Sequence, residues 1–107
     1  MREEKIFTVY MVTNTPRGVL YVGVTSDLVG RVWQHRSGAL PGFSRRWGLK
    51  RLVWYEVCGD AEGAIRFEKR LKRWRRPWKF GLVERANPEW RDLWPELIGA
   101  PAQGERR

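Results

Sequence analysis

Hydrophobic and polar residues alternate in two short runs near the start of the chain, as they do in β-strands with one buried face. The apolar faces consist of Phe7, Val9 and Met11 in the first run and Leu20, Val22 and Val24 in the second. The intervening residues, Asn14 to Gly18, are strong turn formers. The pattern therefore predicts an antiparallel hairpin.

The pairing of the two strands follows from aligning their apolar faces across a short loop. This alignment places Met11 opposite Leu20, and it places Tyr10 directly opposite Tyr21 on the less apolar face. Two phenols at one position are consistent with ordinary cross-strand packing or with a catalytic site.

Three further elements follow the hairpin. Capping residues before Leu28 and a glycine at position 38 delimit a helix over residues 28–36. Residues 37–48 are rich in glycine and predict a loop. Residues 49–58 predict a third strand, apolar on both faces in the manner of a central strand.

Two helices and a closing segment complete the chain. Asp60 caps a helix over residues 61–74, and Pro77 opens another that extends to Ala86. Asn87-Pro88 ends it, and a short segment from Trp90 to Trp94 follows before Pro95. We expect one α/β (α+β) domain over residues 1–98, with a three-stranded, mainly antiparallel sheet flanked by about three helices. Residues 99–107 predict a disordered tail.

The second helix contains one residue that does not fit its amphipathic pattern. Glu68 falls within the apolar arc formed by Ala61, Ala64 and Leu71. A buried carboxylate costs several kcal/mol unless it has a partner. The partner is either an arginine such as Arg31, in a structural ion pair, or a divalent metal ion, because Mg²⁺ prefers oxygen ligands.

The charge of the chain points to a polyanionic partner. The 107 residues include 21 Lys and Arg against 12 Asp and Glu, giving a net charge of +9, and they include seven tryptophans. Nucleic acid is favoured over an anionic membrane, because the basic residues lie within amphipathic patterns. The single cysteine and the lack of a signal-peptide core or an apolar span predict a cytoplasmic protein.

Taken singly, five other polar residues have ordinary explanations. Tyrosines in strands usually pack against neighbours, and Arg31 and His35 would be exposed residues of one helix face. Asn87 is a turn former. Their order and spacing are more informative than any one of them.

This order resembles that of the GIY-YIG endonuclease family, and most closely its small single-domain bacterial branch. The first family motif falls on Thr8-Val9-Tyr10 and the second on Tyr21-Val22-Gly23. The likeness extends from about Ile6 to Trp94. Thr8, Val9 and Val22 differ from the family motifs without removing a functional group. The resemblance implies the site residues Tyr10, Tyr21, Arg31, His35, Glu68 and Asn87.

The resemblance also implies a mechanism, namely metal-dependent hydrolysis of a phosphodiester. Glu68 would hold a single Mg²⁺ or Mn²⁺, and Tyr10 would be the base that activates water, with Tyr21 either positioning the phosphate or sharing the proton. Arg31 and His35 would supply the positive charge that a phenol needs to act near neutral pH. Gly23 would leave room for the substrate backbone.

The expected substrate is DNA in preference to RNA, in a structure-specific reaction linked to repair or recombination. A protein partner would supply specificity. The basic residues expected to follow the phosphates are Arg45, Arg46, Lys69, Lys72, Arg75 and Arg76. Phe43 or Trp47 would either stack on an unpaired base or pack beneath the loop. The alternative function is a nucleic-acid-binding module that keeps the fold and cuts nothing alone.

Overall fold

The computed structural model describes residues 6–99. The elements in chain order are β1 (Phe7–Thr13), β2 (Leu20–Thr25), α1 (Leu28–Ser37), α2 (Phe43–Trp47), β3 (Arg51–Cys58), α3 (Ala61–Arg73), α4 (Arg76–Ala86) and α5 (Trp94–Leu97). The strands form one antiparallel sheet in the order β2-β1-β3. The predicted α+β fold with a three-stranded sheet is confirmed. The predicted tail lies outside the described residues except for Gly99.

The sheet has a hydrophobic cluster on each face. The predicted apolar face of the hairpin contacts Ala64 and Leu71 of α3 and Val83 of α4. On the other face Tyr10 belongs to a cluster with Val32 of α1, with Leu49 and Leu52 before and within β3, and with residues before and within α5. The assignment of the hairpin residues to faces was therefore correct, but the face that carries Tyr10 is also a core face.

The predicted register of the hairpin is wrong by two residues. Tyr10 pairs with Gly23, and Tyr21 pairs with Val12. The reason lies in the loop between Thr13 and Leu20, which is longer than a tight turn and is held by hydrogen bonds of its own. Within it Gly18 donates to the carbonyl of Thr15 at 2.9 Å. The side chain of Asn14 also accepts from the amide of Val19 at 3.0 Å.

The central strand is β1, and the prediction that β3 is central is wrong. The outer edge of β3 is covered by the segment before α5 instead of by another strand. Leu93 donates its amide to the carbonyl of Leu52 at 2.7 Å, and the Leu52 amide donates to Asp92 at 3.2 Å. This cover allows the first half of β3 to be apolar on both faces at the edge of the sheet.

The helix boundaries follow the predicted caps, with two corrections. Asp27 and Asp60 accept hydrogen bonds from backbone amides in the first turns of α1 and α3. The predicted loop over residues 37–48 contains the short helix α2, which lies between Gly42 and Gly48, both with positive φ. Pro95 lies in the first turn of α5 and does not end the closing segment, because proline is well tolerated there.

Candidate active site

A hydrogen-bonded chain of three side chains links β1, α1 and α2. The hydroxyl of Tyr10 lies 2.9 Å from Nε2 of His35, and Nδ1 of His35 lies 2.5 Å from Oγ of Ser44. All three residues are buried. Burial raises the pKa of Tyr10 to about 12, reinforced by Tyr21 and opposed by hydrogen bonding and charge from Arg31. The Tyr10 phenol is therefore neutral near pH 7.

His35 is neutral as well, which corrects the expectation that it provides positive charge. Burial, followed by the charge of Arg31, lowers the pKa of His35 to about 4. A neutral imidazole has one donor and one acceptor nitrogen. The tautomer sets the direction of both bonds: either Tyr10 donates to Nε2 and Nδ1 donates to Ser44, or Nε2 donates to Tyr10 and Ser44 donates to Nδ1. His35 is thus a buried connector and not an exposed residue of α1.

Gly23 has a different role from the one predicted. A Cβ at this position would lie 2.5 Å from both Cζ and Oη of Tyr10. The space above Gly23 is therefore filled by the phenol and is not open to the backbone of a substrate. Gly23 is the cross-strand neighbour of Tyr10 and lies on the edge strand β2. Because Gly23 has no side chain, the Tyr10 ring can lie over β2.

Tyr21 belongs to the same cluster through ring contacts. Its ring centroid lies 6.3 Å from that of Tyr10 and 5.4 Å from that of His35. Tyr21 is only partly buried, whereas Tyr10 has no exposed surface. Of the two phenols, therefore, only that of Tyr21 belongs to a residue that is partly accessible to solvent.

Glu68 enters the site from α3. The residue is 8% exposed, as its place in the apolar arc predicts, and its charge contributes to raising the pKa of Tyr10. Its ion-pair partner is Lys72, one helical turn later, with Nζ 2.5 Å from Oε2. The ammonium of Lys72 also lies 5.8 Å from the ring centroid of Tyr21. Of the two kinds of partner considered from the sequence, the ion pair is present, with a lysine in place of the expected arginine.

The donor set at Glu68 suits a cation that keeps most of its own water. Within residues 6–99 no three acidic, histidine or cysteine side chains converge as a metal-binding group. Mg²⁺ often takes only one or two protein carboxylates, so Glu68 with water is sufficient. The ammonium of Lys72 shows that a positive group can reach this nearly buried carboxylate. The residues therefore fit a single divalent ion.

The side-chain amide of Asn87 forms hydrogen bonds with backbone groups outside the tyrosine cluster. Its nitrogen donates to the carbonyls of Val53 and Arg91 at 3.1 and 2.9 Å, and its oxygen accepts from the amide of Arg91 at 3.0 Å. The side chain is buried at the end of α4 and ties the following loop to β3. These bonds do not join it to the Tyr10–His35–Ser44 chain.

The predicted phosphate contacts fall into separate places. Lys72 lies at Glu68, whereas the side chain of Arg76 donates to the carbonyl of Gly18 in the hairpin loop. Arg45 and Arg46 are exposed on α2, next to Ser44, and Arg75 is exposed at the start of α4. Lys69 lies with other basic residues of α3, away from Glu68. The rings of Phe43 and Trp47 are about half exposed.

Two contributors to the site were missed from the sequence. Ser44 gives no local signal, because α2 is a single short helix in a stretch that reads as loop. Lys72 was identified only as a phosphate contact, although its spacing of four residues from Glu68 is that of a helical ion pair. That spacing could have identified it.

Comparison with known proteins agrees with this geometry. Residues 6–81 match the family model described as the GIY-YIG catalytic domain. A UPF0213 protein of Aeromonas salmonicida is 30% identical over 103 residues, covering 94% of this chain and 75% of the relative. One of Aeromonas hydrophila is 37% identical over 75 residues, covering 70% of this chain and 54% of the relative.

A solved structure supports the same assignment. The solution NMR structure of a UPF0213 protein from Bacillus halodurans superposes with a TM-score of 0.52 at 28% identity, covering 84% of this chain and 95% of that one. None of the helices within residues 6–99 is long and apolar enough to cross a membrane. The family match over most of the chain, with both motif tyrosines in one cluster, shows that this chain belongs to the GIY-YIG family of nuclease domains.

Proposed function

We propose that the protein is a metal-dependent endonuclease that hydrolyses phosphodiester bonds in DNA. The observation that carries the proposal is the convergence of Tyr10 and Tyr21 from the hairpin with Arg31 from α1 and Glu68 from α3. A carboxylate that can hold a metal ion, a guanidinium that can bind a phosphate and a phenol that can contact water are together able to support in-line hydrolysis of a phosphodiester.

Glu68 would hold one Mg²⁺ or Mn²⁺, with water completing the coordination. When bound, this ion supplies Lewis-acid stabilisation of the charge that develops on the leaving oxygen. Lys72 would give up its contact with Glu68 and remain close to the ring of Tyr21. Arg31 would bind the phosphate through the parallel donors of its guanidinium.

The two tyrosines would have distinct roles. We assign Tyr21 to the attacking water, since part of its side chain is exposed. Tyr10 would be a positioning residue, held by His35 and Ser44 and fitted over Gly23, which fixes the hydroxyl at the edge of the sheet. Asn87 would act through the loop that it fastens to β3.

The DNA would lie across the basic residues that surround the site. These basic residues are Arg45 and Arg46 on α2 and Arg75 and Arg76 at the start of α4. Lys72 would join them once it has released the carboxylate of Glu68. Phosphate contacts of this kind provide affinity without reading sequence. The proposal extends to a single domain over residues 1–98, a structure-specific substrate in cytoplasmic repair or recombination, and a protein partner that adds specificity.

The experiment is a cleavage panel. Branched, single-stranded and duplex DNA, with matched RNA, are incubated with the protein in Mg²⁺, Mn²⁺ or EDTA. The proposal predicts metal-dependent nicks, strongest on DNA, that Glu68→Ala and Arg31→Ala abolish while DNA binding persists. Thermal unfolding of both variants establishes that they are folded.

Two results would contradict the proposal. Nicking that survives EDTA or both substitutions would come from a contaminant. Salt-dependent binding without cleavage of any substrate would identify the chain as a binding module that needs a partner.

A further inference from the structure

A second surface of the protein lies outside the candidate active site, on the outer side of α3 and α4. The basic residues Arg66, Lys69, Arg70 and Arg73 recur at the helical spacings of one face of α3. Together with Trp74 they line a hollow of about 400 Å³. Glu68 and Lys72 lie on another face of the same helix, so this surface is separate from the catalytic cluster.

An aromatic hollow adjoins the basic one. It has a volume of about 470 Å³ and is lined by Trp74, Pro77, Trp78, Gly81 and Arg85. Trp74 and Trp78 meet edge to face with ring centroids 6.0 Å apart, and Trp78 is 62% exposed. Trp74 lines both hollows, so that a basic groove continues into an aromatic one.

The charge of this surface is uncompensated. The lining residues of the two hollows include five cations and no acidic side chain. Of the ion pairs formed within residues 6–99, none involves any of these five cations. The surface is therefore complementary to a polyanion that also carries flat apolar groups.

We propose that this surface, named here the Trp74–Trp78 groove, binds single-stranded nucleic acid outside the catalytic site. The phosphates would lie along the four cations of α3, and an unpaired base would stack on Trp78. A base in a duplex has its faces covered by its neighbours, so only an unpaired base fits this aromatic hollow. The groove would thus direct the protein to junctions between paired and unpaired strands, an inference that rests on the proposed function only for that last step.

Gly81 offers a test that does not depend on loss of fold. A Cβ at Gly81 would meet no other atom within 4 Å, and Gly81 lines the hollow, so a side chain added there begins in open space at the hollow. Replacement of a glycine inside a helix also favours folding. Gly81→Leu should therefore fill the hollow in a protein at least as stable as the parent.

The experiment measures binding in EDTA, so that it is independent of cleavage. Fluorescence anisotropy compares a labelled single-stranded oligothymidylate with a blunt duplex for the parent protein, Trp78→Ala and Gly81→Leu. The matched controls are Trp33→Ala and Gln34→Leu, both at exposed positions of α1. Thermal unfolding is measured for each variant.

We expect Trp78→Ala and Gly81→Leu to weaken single-strand binding by about 5- to 150-fold, as loss of one base stack does. Duplex binding and both control variants should stay within about twofold of the parent. Single-strand affinity unchanged in both groove variants, or equal losses for single strand and duplex, would overturn the proposal. So would Trp78-dependent sedimentation with phosphatidylserine vesicles at unchanged oligonucleotide affinity, which would assign the groove to a membrane.

Discussion

The phenol of Tyr10 occupies the space that a Cβ on Gly23 would need. The two residues are direct cross-strand partners in β1 and β2. Because the ring lies over a glycine, the hydroxyl of Tyr10 reaches His35 of α1. One missing side chain thus determines where a phenol lies in the candidate site.

Gly23→Ala should therefore displace the Tyr10 ring and weaken both stability and cleavage. We expect a loss of about 1–3 kcal/mol in the free energy of unfolding, because the added methyl group overpacks a buried contact. Cleavage should fall at least about tenfold under conditions in which the variant remains folded. Chemical denaturation and single-turnover cleavage measure the two effects.

The control for this change is Gly59→Ala. A Cβ at Gly59 meets no atom within 4 Å, and the residue lies outside the cluster. It should leave stability and cleavage close to those of the parent. Equal effects of the two substitutions would mean that the Tyr10–Gly23 contact is not specific.

The tyrosine roles are separated by Tyr21→Phe and Tyr10→Phe. Loss of a general base lowers the rate of the chemical step by about 10²–10⁴-fold, and we expect this loss of rate for Tyr21→Phe. Tyr10→Phe should instead lower stability, because it leaves Nε2 of His35 without its buried partner. Its remaining cleavage should keep the pH–rate profile of the parent. If Tyr10→Phe alters that profile and Tyr21→Phe does not, the roles are reversed.

His35 should make stability depend on pH over a defined range. The native imidazole takes up a proton near pH 4, whereas an unfolded histidine does so near pH 6.5. Between these values the unfolded state binds more protons, so stability falls as the pH is lowered from 6.5 to 4. The difference corresponds to about 3 kcal/mol, fully present above pH 6.5.

His35→Gln removes this titration while retaining a side chain that can hydrogen-bond. The free energy of unfolding of the variant should vary less between pH 4 and 6.5 than that of the parent. Urea denaturation at a series of pH values measures it. Parallel pH curves for the two proteins would show that His35 is not held neutral in the native state.

Lys72 should compete with a metal ion for Glu68, since its ammonium contacts the carboxylate directly. Lys72→Met removes that competitor and should tighten Mn²⁺ binding several-fold. Electron paramagnetic resonance of free Mn²⁺ measures the affinity without a cleavage assay. Lys69→Met, on another face of α3, is the control and should leave Mn²⁺ affinity unchanged. No difference between the two variants would mean that Lys72 does not oppose the metal.

The sequence was most informative where one local pattern decided the outcome. Alternation assigned the hairpin faces, side-chain caps located α1 and α3, and the amphipathic misfit identified Glu68 as buried. The hairpin register was misjudged because it depends on bonds inside the loop, such as Asn14 to Val19.

Features that depend on tertiary contacts were less accessible. The neutrality of His35 comes from its burial against Tyr10 of β1 and Ser44 of α2, and α2 itself was not recognised within a glycine-rich stretch. The role of Gly23 required knowing which residue lies across from it. β3 can lie at the edge of the sheet because Asp92 and Leu93, about forty residues later in the chain, form hydrogen bonds with its residue Leu52.

The most direct test of the nuclease assignment is single-turnover cleavage by the parent and Glu68→Gln across a Mg²⁺ series, with DNA affinity measured in EDTA. Glutamine keeps the shape of the side chain and removes its charge. We predict metal-dependent cleavage by the parent, a rate at least about 10²-fold lower for Glu68→Gln, and unchanged DNA affinity. Cleavage by Glu68→Gln at the parental rate and with the same Mg²⁺ dependence would contradict the account.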